Sequence, residues 1–203
     1  VTGYTDFVAM TRTEARSYLE RFLAETPDRL AWLADLSAGA GGPKASDLDF
    51  SVESVDALWE WAVPRLAWRT GYQPPTSAAD VRPRFNPNYL EGPAELPSWF
   101  RHPSGVGLAR FSADTLWLID ALARYVGEVA IRCIPGSRWA SGSTRPKGNM
   151  VANQPVLAGS LDEASPIHAC VEAVDRTLSP LLEPETLGEI LMYWRSTAQA
   201  GTK

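Results

Sequence analysis

The sequence predicts an α+β fold: a mainly helical single domain with a small antiparallel β-hairpin packed on a central helix. Three observations carry that expectation. Apolar residues recur at helical spacing behind capping residues in several segments. One of these segments, around residues 115–134, is apolar enough to lie at the centre. After it come two short runs with strand character, Arg138 to Ser141 and Val151 to Leu157, joined by a turn-rich stretch from Ser143 to Gly148.

The elements follow in order. Residues 1–10 read as a disordered or extended N-terminal segment, and the domain proper as residues 11–203. Met10 is a candidate translation start, since the first helix signal follows it directly; Val1 from an alternative start codon is the other option. Thr11-Arg-Thr-Glu14 is a capping box, in which the Thr oxygen takes the amide of Glu14 and the Glu side chain reaches back. Ala15, Tyr18, Leu19, Phe22 and Leu23 then hold helical spacing. Thr26-Pro27 predicts a restart, with Thr as cap and Pro in the first turn, and with Leu30, Leu33 and Leu36 inward. Ser51 caps the next helix, with Phe50 placed to staple onto Val55, and Pro64 ends or kinks it. Ser112 caps the central helix, with Phe111 placed to staple onto Leu116. Pro155 puts the second strand at an edge or at its own start. Ser165-Pro166 opens a further helix, and Pro184 the last. Between Arg69 and Arg110 lies a segment with seven prolines and the aromatics Tyr72, Phe85, Tyr89, Trp99 and Phe100. The prolines rule out a long helix there, and the aromatics predict packing over the body.

The central helix is the most informative. Ile119, Leu122, Val126, Val129 and Cys133 form an apolar stripe, and Asp120, Arg124, Glu128 and Arg132 sit four apart on the other side. A solvated ladder of ion pairs, each worth ~0.2–0.5 kcal/mol, is the plain expectation. Trp117 and Ile131 fall within that charged face, and Gly127 interrupts a helix at a cost of ~1 kcal/mol relative to Ala. Both point to a face that something covers: the Pro-rich segment, the hairpin or a partner protein.

Composition excludes several function classes. The net charge is −5 and no Lys/Arg run exists, which argues against nucleic-acid binding. Charges at Asp120, Arg124, Glu128 and Arg132 argue against a membrane span. No signal peptide is visible, and two cysteines make no disulfide framework, so the expected compartment is cytoplasmic. Arg outnumbers Lys 16 to 3, which suggests a high-GC bacterial genome.

The run Tyr125-Val-Gly-Glu128, then Gly136, Trp139 and the Asn153-Gln-Pro-Val156 strand, resembles a helix-plus-hairpin pattern in uncharacterised bacterial proteins of actinobacterial type. Some such proteins are encoded near toxin or phage-defence genes. The likeness covers residues 111–157. It implies an interaction module and no activity, cofactor or catalytic residue.

Motifs for chemistry are sparse. No Gly-x-Ser-x-Gly is present, Gly105-Val-Gly107 lacks a third glycine, and Gly39 to Lys44 lacks the ending of a phosphate loop. His102, Cys133, His168 and Cys170 match no zinc spacing, so no metal and no cofactor is expected. Asp47 and Asp49 precede a helix, where carboxylates favour the dipole. The leading functional expectation is a non-catalytic interaction protein with a protein partner, toxin immunity being one form of it. Its anchors are Tyr89, Trp99 and Phe100, because buried aromatics and Arg dominate interface energy. Trp117, Arg124 and Trp139 complete the candidate binding set. The rival is a small hydrolase or transferase with Glu128 as acid/base, His102 nearby and Trp139 walling a pocket. A third reading places a small molecule in the same cleft without catalysis.

Overall fold

The computed structural model describes residues 5–77, 96–100 and 110–200. Five α-helices are formed among them: α1 (Arg12–Gly39), α2 (Val52–Ala62), α3 (Ala113–Cys133), α4 (Pro166–Leu178) and α5 (Leu187–Ala200). Strands β1 (Arg138–Ser141) and β2 (Pro155–Ala158) pair antiparallel, with Trp139 opposite Leu157. The chain is an α+β, mainly helical domain. Helix α3 touches all four other helices, and its residues Ile119, Ala121, Ala123, Val126, Val129 and Ala130 are fully buried. Among the described residues, no helix is long and apolar enough to cross a membrane.

Capping chemistry sets the starts. Thr11 and Glu14 form the complete capping box. Ser51, Ser112 and Ser165 each accept the amide three residues on. Thr186 and Glu189 exchange the same pair of bonds before α5, so this helix begins past Pro184 instead of at it.

The predicted break at Thr26-Pro27 does not occur: α1 runs unbroken for 28 residues with Pro27 inside. Proline removes the amide that would bond the Leu23 carbonyl and crowds that turn. Substitute donors gather at the adjacent turn. The Thr26 hydroxyl bonds the Phe22 carbonyl at 2.9 Å, and the Arg124 guanidinium donates to that carbonyl and to Thr26 Oγ1. A single continuous helix fixes one phase. Its buried stripe is Ala15, Tyr18, Phe22, Thr26, Leu33 and Ser37, which leaves Leu36 exposed.

The described residues just before α1 pack against the body. Residues 7–9 form a turn in which Asp6 accepts the amides of Val8 and Ala9. Phe7 is completely buried, its ring edge-on to Tyr18 at 5.0 Å. The two phenylalanines before the helix caps also have distant partners. Phe50 has φ 63° and stacks on Tyr125 at 4.9 Å, with Arg132 above its ring at 3.5 Å. Phe111 stacks on Trp68 at 5.3 Å. In both cases a long-range aromatic pair adds ~0.5–1.5 kcal/mol to the area that the ring buries.

Candidate functional site

The Asp120–Arg124 part of the charged side of α3 is covered by α1, which the sequence reading did not consider, together with Trp99 of the Pro-rich segment, and Trp139 of the hairpin meets Glu128 farther along. Asp120 and Arg124 are 2% and 1% exposed and pair at 3.2 Å. Phe22 lies 3.7 Å beneath the Arg124 guanidinium. Trp99 donates its indole N–H to Asp120 at 2.8 Å, and Arg29 reaches the same carboxylate at 3.7 Å while lying 4.3 Å over Trp117. Burial pushes the Asp120 carboxyl above its ordinary range, opposed by Arg124 and then by the Trp99 and Arg29 contacts. A solvated ion-pair ladder is therefore the wrong description for this part of the helix.

Several candidate binding residues belong to the core. Trp99 and Phe100 are 3% and 1% exposed, so they are not surface anchors. The same short stretch reaches α1, where Tyr18 meets Ser98 at 3.0 Å. Arg124 is likewise closed off from any ligand by α1. Trp117 is half-buried beneath Arg29. Tyr89 and His102 lie outside the described residues.

Glu128 and Trp139 do meet, but as a structural pair. The indole N–H of Trp139 donates to Glu128 at 3.1 Å, and the same ring lies against Gly127, where a Cβ would fall 2.1 Å from Cζ2. Phe22 packs edge-on to it at 5.3 Å. This is the close approach that the mid-helix glycine foreshadowed, made by a side chain from the hairpin. The acidic pair is also structural: Asp47 accepts from the Lys44 amide, and Asp49 from the Ser51 amide. These bonds hold both carboxyls below their ordinary range. Burial pushes the Cys170 thiol well up, which makes it inert. Among the described residues, no group of three or more His, Cys, Asp or Glu side chains is placed to hold a metal ion.

A different place carries chemistry. Between the first turns of α1 and the chain leaving β1 lies a groove of about 650 Å³, lined by Arg12, Ala15, Arg16, Ser141, Gly142, Ser143, Thr144, Arg145 and Asn153. One wall is helical: Arg12 and Arg16 are four apart on one face, with Ala15 leaving room between them. The other wall is the hairpin. Its ladder continues past β1, with Gly142 N–H donating to the Gln154 carbonyl at 2.8 Å and Asn153 N–H to the Gly142 carbonyl at 2.9 Å. Gly142 must be small, because a Cβ there would fall 2.1 Å from the Val151 carbonyl oxygen. Behind the wall, Glu163 accepts the Ser143 amide at 2.8 Å and the Asn149 side-chain amide at 3.0 Å. Ser141 ties the hairpin to α1 through the Ala15 carbonyl.

Among the described residues, the lining of the groove gathers three arginines and no carboxylate. Arg16 pairs with Glu20 at 3.1 Å, but both side chains are well exposed, so the pair is weak and yields readily to a ligand. A second, shallower depression on the neighbouring face of α1 mixes Arg21 with Asp6 and Glu14. The sequence reading missed Arg12, Arg16 and Arg145 altogether. The first two were visible as an i, i+4 pair around a small residue, but nothing local linked them to a hairpin loop more than a hundred residues away.

Comparison with protein-family models, with curated proteins and with solved structures finds no match to this chain.

Proposed function

We propose that this protein works by binding, without catalysis, and that its ligand is an anion held in the groove between α1 and the hairpin. One observation carries the reading: a chain of net charge −5 concentrates Arg12, Arg16 and Arg145 around one concave space of about 650 Å³. Guanidinium forks match carboxylate and phosphate oxygens bidentately, and such charge-assisted bonds are roughly twice as strong as neutral ones. The volume falls within the ~300–1,000 Å³ typical of small-molecule sites. The engagement of Glu128 by the Trp139 indole supports reading that carboxylate as part of the hairpin packing. The test is thermal unfolding with orthophosphate, citrate or glucose 6-phosphate, compared between wild type and Arg12→Ala/Arg145→Ala. A ligand-dependent rise in the wild type that the variant lacks supports the reading. Equal behaviour of the two proteins with every anion sinks it.

A second reading, the protein-interaction one, rests on another surface. Leu181 and Leu182, between α4 and α5, are 42% and 45% exposed, and Met192 and Tyr193 on α5 are 51% and 66% exposed. Apolar exposure of this kind favours a partner when it is contiguous. Co-purification from a native lysate, with Met192→Ser/Tyr193→Ser as the control, decides it: a stoichiometric partner must be present with the wild type and absent with the variant.

A further inference from the structure

The lining of the groove says more about the ligand than its charge. A bare phosphate, only a few waters in size at ~30 Å³ each, leaves most of about 650 Å³ unfilled. What surrounds the guanidinium groups is hydroxyl and amide. The Ser143 Oγ accepts the Arg145 amide at 3.1 Å, which leaves its proton to donate. Thr144 adds a second hydroxyl to the lining. The Asn153 side-chain amide donates to the Phe7 and Met10 carbonyls at 2.8 and 3.1 Å, which leaves its oxygen as an acceptor. Donors and acceptors of this kind, beside a cationic cluster, suit a molecule with an anionic end and a body of hydroxyl groups. The described lining holds no aromatic ring, the usual platform on which a base stacks.

We infer that the groove takes a compact phosphate ester with a polyhydroxylated body, a sugar or polyol phosphate. This rests on the anion-binding reading above and narrows it. Arg12 and Arg145 approach the phosphate from opposite walls, Arg16 exchanges Glu20 for it, and Ser143, Thr144 and Asn153 meet the hydroxyls.

Calorimetric titration of the full chain with four probes tests it: glucose 6-phosphate, orthophosphate, glucose and adenosine 5′-monophosphate. Glucose 6-phosphate is expected to bind about tenfold or more tighter than orthophosphate, the equivalent of one good added hydrogen bond or more. Ser143→Ala/Thr144→Val is expected to narrow the gap between glucose 6-phosphate and orthophosphate. Arg145→Lys keeps the charge but loses the fork, and is expected to weaken both. Equal affinity for glucose 6-phosphate and orthophosphate overturns the inference and leaves the anion-binding reading standing. Tighter binding of the adenosine nucleotide also overturns it, in favour of an aromatic body. No binding of any phosphate, in a wild-type protein that melts cooperatively, removes both.

Discussion

At Asp120 and Arg124, the balance between burial and pairing decides what a substitution does. Both side chains are all but closed to water, and their partners come from three other places in the chain: Trp99, Arg29 and the turn at Phe22 and Thr26. Breaking a buried pair from one side strands a charge, at about 3–5 kcal/mol, whereas replacing both sides with apolar groups is often neutral. Asp120→Asn is therefore expected to lower stability by about that amount in denaturant titration, and Asp120→Leu/Arg124→Met to recover much of it. A double variant no more stable than the single one shows that the bonds to Phe22 and Thr26 matter more than the charge. Gly127 is a second residue-scale case. In an open helix, Gly→Ala gains ~1 kcal/mol, but here the new methyl meets the Trp139 ring at 2.1 Å. The ring cannot swing away without losing Glu128 and Phe22. Overpacking at ~1–3 kcal/mol wins, so Gly127→Ala is expected to destabilise and to shift the Trp emission.

The helices themselves were legible because their ends are local chemistry. Thr11, Ser51, Ser112 and Ser165 cap as their neighbours in sequence demand. Pro27 was misread because the groups that rescue it, Arg124 above all, lie about a hundred residues away. The capping box also yields a pH prediction. The backbone amide and hydroxyl of Thr11 hold the Glu14 carboxyl below its ordinary value. A carboxyl depressed on folding contributes stability above the ordinary value, and loses it as the pH falls through the folded one. The difference in melting temperature between wild type and Glu14→Ala is thus expected at neutral pH and should close as the pH drops below about 4. A gap that persists in acid means that the helix start depends on packing and not on the ionised carboxylate.

At the scale of the whole molecule, the groove exists because two distant stretches of chain are pinned together, and this is why the sequence did not disclose it. Arg12 and Arg16 come from the first turns of α1, and Arg145 from the hairpin loop. The clamp between them is Asn153, 5% exposed, whose amide reaches the Phe7 and Met10 carbonyls. Asn153 also shapes the turn, its φ of 61° being a left-handed backbone that Asn tolerates. The two roles separate by substitution. Asn153→Gly keeps the left-handed backbone and loses the clamp, whereas Asn153→Ala loses the clamp and strains the backbone as well. If the clamp positions the groove, both variants are expected to weaken anion binding to a similar degree, while Ala alone carries the added cost in stability, on the order of 1 kcal/mol. If backbone geometry is what matters, Asn153→Gly keeps wild-type affinity. Titration of both variants with orthophosphate, which has no hydroxylated body for Asn153 to meet, alongside their unfolding curves, separates a preformed site held by a long-range hydrogen bond from one shaped by the turn itself.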